Sequence, residues 1–152
     1  MVQYRVNLAD ESAQIKFGAR LAPLLSSGLL VNMHGDLGAG KTTLVRGLLR
    51  GLGHTGRVRS PTFTLMETYE TADQAVCHLD LYRLSDMEEL EMLGIRDYLD
   101  GDWTLWIEWP ERAPELAEQA DIDLTINYAG SGRELMVAAR TAMGTAVVEK
   151  LT

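Results

Sequence analysis

The order of apolar and polar positions divides this chain into alternating strand and helix patterns. "QYRVNL", residues 3–8, alternates with the period of two expected of a half-buried strand. Asp10-Glu11-Ser12 then offers capping chemistry ahead of "AQIKFGARLAPLL", in which Ile15, Leu21 and Leu24 share a helical stripe. Ser26-Ser27-Gly28 breaks that helix, "LLVNM" is a second strand-like run, and a glycine-rich turn leads into "TTLVRGLLRGLG" with leucines at helical spacing. After Gly53, "HTGRVRSPTFTLMETYE" joins a polar loop to a strand pattern through Thr64, Met66 and Thr68, and "AVCHLDLY" reads as a buried strand. "DMEELEMLG" favours helix. "WTLWIEW", Trp103 to Trp109, predicts a strand stopped by Pro110, with a short helix around Glu111 to Glu118 beyond it. "DIDLTINY" and "RELMVAAR" alternate on either side of Ala129-Gly130-Ser131-Gly132, which predicts an antiparallel hairpin.

Strands alternating with helices predict an α/β fold with a mainly parallel central sheet flanked by helices and a C-terminal antiparallel hairpin. A length of 152 residues suits one domain, 1–152, with no room for a separate substrate or lid domain, and no repeat or linker interrupts it. Hydrophobic residues at 46% and charged residues at 24% are ordinary globular usage, which predicts a packed chain rather than a disordered one. The net charge of −8 argues against autonomous nucleic-acid binding, because backbone-phosphate affinity needs clustered lysine and arginine. Any nucleic-acid role is therefore expected to be indirect. Cys77 is the sole cysteine, which excludes an internal disulfide and a cysteine-rich zinc site. "MVQYRVNLADESAQ" has no signal-peptide hydrophobic region, and apolar runs fall far short of the roughly 20 residues that span a bilayer, so a cytoplasmic protein without membrane contact is expected.

The strongest chemical signal is "GDLGAGKT", Gly35 to Thr42, which matches GxxxxGK[ST] between an apolar strand and a helix pattern. Glycines let the backbone curl until successive amides point inward at phosphate oxygens, and the positive end of the following helix adds to the same field. Lys41 brings an ammonium to the outer phosphates, and the Thr42 hydroxyl is suited to Mg²⁺, a cation that takes oxygen ligands and bridges phosphates. Thr43 either contacts an inner phosphate or merely continues the helix.

Metal and attacking water both call for carboxylates, and ligands of parallel α/β sheets bind beyond the carboxyl ends of strands. Asp80 closes "AVCHLD" and Glu108 closes "WTLWIE", each after apolar residues where an unpaired charge would be costly. One would hold the metal and the other orient water, although a strand-end carboxylate also serves to cap a helix or pair with an arginine. "GRVRSPTFTL" places Arg57, Arg59, Ser60 and Thr62 in a loop that either orders on the terminal phosphate as a switch or is simply a solvated turn. His78 reads as a packed, hydrogen-bonded residue rather than a catalyst, and His34 and His54 carry no clearer signal. Trp106 and Trp109 are expected to pack in or beside the core, with sensing of the site by Trp109 as the alternative reading.

"GDLGAGKTTLVRGLL", "SPTFTL", "HLDLYRL" and "IEWPER", in this order and spacing, resemble the TsaE family, also called YjeE, and the resemblance extends over nearly all 152 residues, terminal hairpin included. It implies a cytoplasmic bacterial ATPase of the P-loop NTPase-like fold, dependent on Mg²⁺, that serves the making of threonylcarbamoyladenosine (t6A) in tRNAs reading ANN codons. It also implies docking onto the TsaD–TsaB pair, with slow ATP hydrolysis in the absence of those partners and tRNA met only through the complex. By the same resemblance Asp36, Leu37, Gly38, Ala39, Gly40, Lys41, Thr42 and Thr43 form the phosphate-binding loop. Thr42 and Glu108 correspond to the metal ligands, and Asp80 to a second essential carboxylate. Thr62 corresponds to a switch residue, and Ser12 and Arg133 are similar in place to residues near the nucleotide.

Three other readings share the cradle. A small-molecule kinase needs an acceptor pocket and arginines that clamp the transferred phosphate, and its lid is hard to place here. A GTP-dependent switch normally carries an NKxD stretch, which this chain lacks. A purely structural module would have no use for intact Lys41, Thr42, Asp80 and Glu108. Without a second substrate domain, hydrolysis is expected to alter the fit to a protein partner. "DMEELEMLG" is either a docking helix or a solvated acidic face.

Overall fold

The structure, a computed structural model, describes residues 2–152. The strands are β1 (Gln3–Leu8), β2 (Leu30–His34), β3 (Met66–Glu70), β4 (Ala75–Asp80), β5 (Trp103–Glu108), β6 (Ile122–Ala129) and β7 (Gly132–Ala139). They form one sheet in the order β1-β7-β6-β2-β5-β4-β3. The central run β6-β2-β5-β4 is parallel throughout, while β3, β7 and β1 add antiparallel pairs at the two edges. The expected architecture, a largely parallel centre with a terminal hairpin, is the one observed.

Helices cover both faces of this sheet. α1 (Glu11–Leu21) and α2 (Lys41–Gly51) pack on one face with Val31, Met33, Val76 and Trp106, and α5 (Ala142–Glu149) joins the same core through Val147 and Val148. α3 (Met87–Met92) and α4 (Pro114–Ala117) cover the other face, where Leu90 and Leu116 meet Cys77, Leu79, Leu105 and Ile107. The period of two along β4 and β5 thus sends Cys77, Leu79, Leu105 and Ile107 to one side and Val76 and Trp106 to the other. Burial raises the Cys77 thiol to about 12, so it stays protonated and acts as a small hydrophobe.

Prolines and caps set the boundaries that apolar spacing leaves vague. α1 begins at the Asp10 side chain, which accepts from the Ala13 amide, and it passes into a tight turn over Ala22–Leu24 where Pro23 removes a donor. The expected helix around Glu111 to Glu118 is instead two short pieces, Pro110–Arg112 and Pro114–Ala117, each opened by a proline. The strand expected from Thr64 starts at Met66, because residues 62–64 belong to a turn closed by the Leu65 amide on the Pro61 carbonyl at 2.8 Å. α5 has no counterpart in the periodicity reading, since Gly144 interrupts its stripe; Thr141 caps it by accepting from the Gly144 amide at 3.1 Å.

α1 and α2 approach closely because glycines face the partner backbone. A Cβ on Gly47 would run into the Ile15 carbonyl, and one on Gly18 into the Leu44 carbonyl. This fixes α2, and with it the loop that precedes α2, against the sheet. Gly47→Ala gains about 1 kcal/mol of helix propensity. It also overpacks against backbone that no rotamer change can relieve, a class of change that costs about 1–3 kcal/mol. The expected net loss of about 1 kcal/mol should lower the melting temperature by roughly 2–4 °C, read by circular dichroism.

Candidate functional site

The loop from Gly35 to Gly40 leaves the carboxyl end of β2 and enters α2 at Lys41. Gly38 and Gly40 adopt positive φ of 80° and 113°, in the left-handed region where side chains are rarely accommodated, and a Cβ on Gly40 would collide with the Gln14 amide of α1. The loop is held from behind by the hairpin. The Tyr128 hydroxyl donates to the Leu37 carbonyl at 2.9 Å and Arg133 Nε donates to the Ala39 carbonyl at 2.9 Å, with the guanidinium stacked 4.2 Å from the Tyr128 ring. Carbonyls are thereby tied on the outer side. Among the described residues, the amides of Gly38, Gly40, Lys41, Thr42 and Thr43 donate to no protein acceptor, although the Ala39 amide closes a turn onto Asp36 at 3.0 Å.

These amides border a hollow of about 250 Å³ lined by Lys41, Thr42, Thr43, Thr62, Asp80, Glu108 and Trp109, among others. Asp80 and Glu108 are register partners on β4 and β5, so the two carboxylates emerge side by side from the same edge of the sheet. Thr42 Oγ1 donates to Glu108 Oε2 at 3.1 Å, and His78 Nε2 lies 2.6 Å from the same oxygen. Asp80 accepts from the Tyr82 amide at 3.1 Å. Burial pushes its carboxyl above the usual carboxylate range, against the lowering effect of that amide bond.

Lys41 is only 5% exposed, and desolvation pulls its ammonium below the ordinary lysine value despite the raising influence of Glu108, Asp80, Glu111 and Asp36. Its Nζ donates to the Gly35 carbonyl at 2.7 Å and sits 4.0 Å from the centre of the Trp109 ring. Trp109 itself holds φ 58°, a left-handed conformation unusual for a bulky residue, and leads into Pro110. That backbone turn swings the indole over Lys41 instead of continuing β5. The ring of Tyr82 lies 5.0 Å from it.

The arrangement can do three things chemically. Unpaired amides and a buried ammonium can receive an oxyanion. The hard oxygens of Thr42 and Glu108, already 3.1 Å apart, fit a small divalent cation such as Mg²⁺. Among the described residues no group of three or more His, Cys, Asp or Glu side chains is arranged to hold a metal alone, so such a cation would complete its shell from ligand and water. The second carboxylate, Asp80, keeps an oxygen free to accept a proton or order a water.

Other sequence candidates fall at different distances from this hollow. Thr62 lines it, with its hydroxyl 2.7 Å from that of Ser60. Arg133 borders a neighbouring hollow of about 150 Å³ with Asp10, Gln14 and Thr43. Ser12 lies exposed in the first turn of α1 and lines neither hollow. Gln14, Tyr128 and the His78 contact with Glu108 were not anticipated; for His78 a signal existed, since it stands two residues before Asp80 and so shares its face of β4.

Known proteins share the sequence and fold of this chain. The family model described as "Threonylcarbamoyl adenosine biosynthesis protein TsaE" matches residues 8–135. The tRNA threonylcarbamoyladenosine biosynthesis protein TsaE of Haemophilus influenzae is 43% identical over 93% of this chain and 92% of its own. The protein of the same name from Bacillus subtilis is 37% identical over 82% of this chain and 76% of its own. A crystal structure of Bacillus subtilis YdiB superimposes with a TM-score of 0.83 at 27% identity, covering 99% of this chain and 95% of that one. With the family match spanning the strand ends, the glycine-rich loop and most of the hairpin, the chain belongs to the TsaE family of tRNA threonylcarbamoyladenosine biosynthesis proteins.

Proposed function

We propose that this protein binds ATP with Mg²⁺ in the hollow beside α2 and hydrolyses it as a component of the t6A system. The observation that carries the reading is the convergence of unpaired loop amides, Lys41, and the Asp80–Glu108 pair around one cavity. Lys41 exchanges the neutral Gly35 carbonyl for charged phosphate oxygens, a stronger acceptor in a poorly solvated site. Thr42 and Glu108 hold Mg²⁺, which when bound supplies charge neutralisation to the outer phosphates. Asp80 orients the attacking water, and its raised pKa makes it a better proton acceptor than an ordinary carboxylate. Thr43, Asp36, Leu37, Gly38, Ala39 and Gly40 complete the cradle. The rest of the nucleotide extends toward the neighbouring hollow, which shares Gly38, Gly40 and Thr43 with the first and is bordered by Arg133. Ser12, beside Glu11 in the first turn of α1, contributes to the entrance on that side.

The cavity is small, and a nucleotide fills most of it. Hydrolysis is therefore read out as a change of shape or charge at the mouth, where Thr62 and Trp109 stand, rather than as phosphate transfer to a metabolite. In this reading the ATP-bound form docks on TsaD–TsaB in the cytoplasm and hydrolysis resets that complex between rounds, with tRNA met only through it. No helix among the described residues is long and apolar enough to cross a membrane.

In a reconstituted reaction, wild-type protein is expected to hydrolyse ATP slowly alone and faster with TsaD–TsaB, and to sustain repeated rounds of tRNA modification. Lys41→Ala should lose both the stimulated hydrolysis and the sustained modification; modification that continues unchanged would refute the reading.

Asp80 offers a second test through stability. With its folded pKa raised above the unfolded value, the folded state binds the proton more tightly, so stability falls as pH rises from the ordinary carboxylate value of about 3.9 through the raised one. Above the raised value that penalty is present in full. Asp80→Asn removes it, and the replacement's amide oxygen can still accept from Tyr82. The substitution should raise the melting temperature of nucleotide-free protein at pH 7, with the gain shrinking toward pH 4. Partner-stimulated hydrolysis should fall about 100-fold or more.

A further inference from the structure

His78 has no assigned role in the reading above, yet it is fully buried and touches the site at one point, 2.6 Å from Glu108 Oε2. The sheet explains how it gets there. His78 and Asp80 share a face of β4, their register partners Trp106 and Glu108 share the same face of β5, and the His78–Trp106 layer lies beneath the carboxylate layer. Only β4 and β5, adjacent and parallel, bring the imidazole under the carboxylate of the neighbouring strand.

We propose that His78 is the positioning residue for the metal-binding carboxylate, donating from Nε2 to Glu108 Oε2 so that the other oxygen, Oε1, is presented to the cation. Among the described residues Glu108 Oε2 already receives the Thr42 hydroxyl and the imidazole, whereas no side-chain donor reaches Oε1. A carboxylate with one oxygen saturated by protein donors has a single orientation left for a metal. The tautomer follows from the same contacts. A carboxylate oxygen at 2.6 Å requires a donor, and the buried Nδ1 has no partner, so the proton belongs on Nε2. His78 also compensates the burial of Glu108 next to a second carboxylate, which without a donor beneath it would turn away from Asp80 toward solvent.

This proposal rests on the Mg²⁺–ATP reading, and its test separates the two. Glutamine carries its amide nitrogen where Nε2 of histidine stands, while asparagine reaches only as far as Nδ1. His78→Gln should therefore keep the donor to Glu108, and His78→Asn and His78→Leu should lose it. Binding of Mn²⁺ in the presence of ADP is measured by electron paramagnetic resonance, nucleotide binding in EDTA by calorimetry, and folding by thermal melts. The expected pattern is Mn²⁺ affinity weakened about 10–100-fold in the Asn and Leu variants and largely retained in the Gln variant. Metal-free nucleotide affinity should remain within about twofold of wild type in all three variants, because Lys41 and the loop amides are untouched.

Mn²⁺ affinity unchanged in His78→Asn and His78→Leu would overturn the proposal while leaving the nucleotide reading intact. So would a loss in His78→Gln as deep as in His78→Asn, or a fall of metal-free nucleotide binding in step with Mn²⁺ binding, which would mark a role in folding alone. Wild-type protein that binds ADP but takes up no Mn²⁺ would remove the metal reading, and the proposal with it. If the Leu variant fails to fold, the Gln and Asn pair carries the comparison, since both replacements keep a polar amide on the strand.

Discussion

Two carboxylates buried side by side at the ends of neighbouring parallel strands are the constraint around which the site is organised. Asp80 and Glu108 repel one another and have lost most of their solvent, so each needs a compensating contact. Glu108 receives the Thr42 hydroxyl and the His78 imidazole, and Asp80 receives a backbone amide from the turn that follows it. Lys41 stands opposite both, its own charge disfavoured by burial and favoured by theirs. The folded chain therefore holds a cluster of charges that water would otherwise solvate. A site of that kind gains most from a ligand that brings compensating charge of its own.

The scaffold converts this electrostatic tension into geometry. Glycine contacts between α1 and α2 set how deep α2 sits, and α2 sets where Lys41 and Thr42 point. The terminal hairpin takes hold of the glycine-rich loop through Tyr128 and Arg133, leaving the loop amides toward the hollow. Trp109, in its left-handed turn before Pro110, lays its ring against Lys41 at the lining of the hollow. Parts of the chain far apart in sequence thus meet at a loop of a few residues, and a change at any of them is felt at that loop.

Much of the fold was legible in advance because its signals are local. Period-two runs marked β1 and the hairpin, a short apolar run marked β2, helical spacing marked α1 and α2, and the glycine-rich motif marked the loop between strand and helix. The errors were local as well. Pro23 and Pro114 broke helices that apolar spacing alone ran on, and Gly144 hid α5 from a stripe-based reading although Thr141 was a usable cap. In that part of α1 the buried side chain turned toward the loop is Gln14, two residues beyond the exposed Ser12 and so on a different face of the helix.

The carboxylates illustrate where sequence reading stops. That Asp80 and Glu108 end buried strands was visible from the residues themselves, because a charge after an apolar run announces its own cost. That they are register partners, that Glu108 takes Thr42 and His78 on one oxygen, and that Lys41 lies against Trp109 follow from how β4 and β5 align and how α2 docks. By itself the sequence determined the elements and the loop, since these depend on spacings of a few residues. Only the tertiary structure decided which side chains meet, because strand register and helix depth are set by packing of the whole core, and no short stretch of chain encodes them.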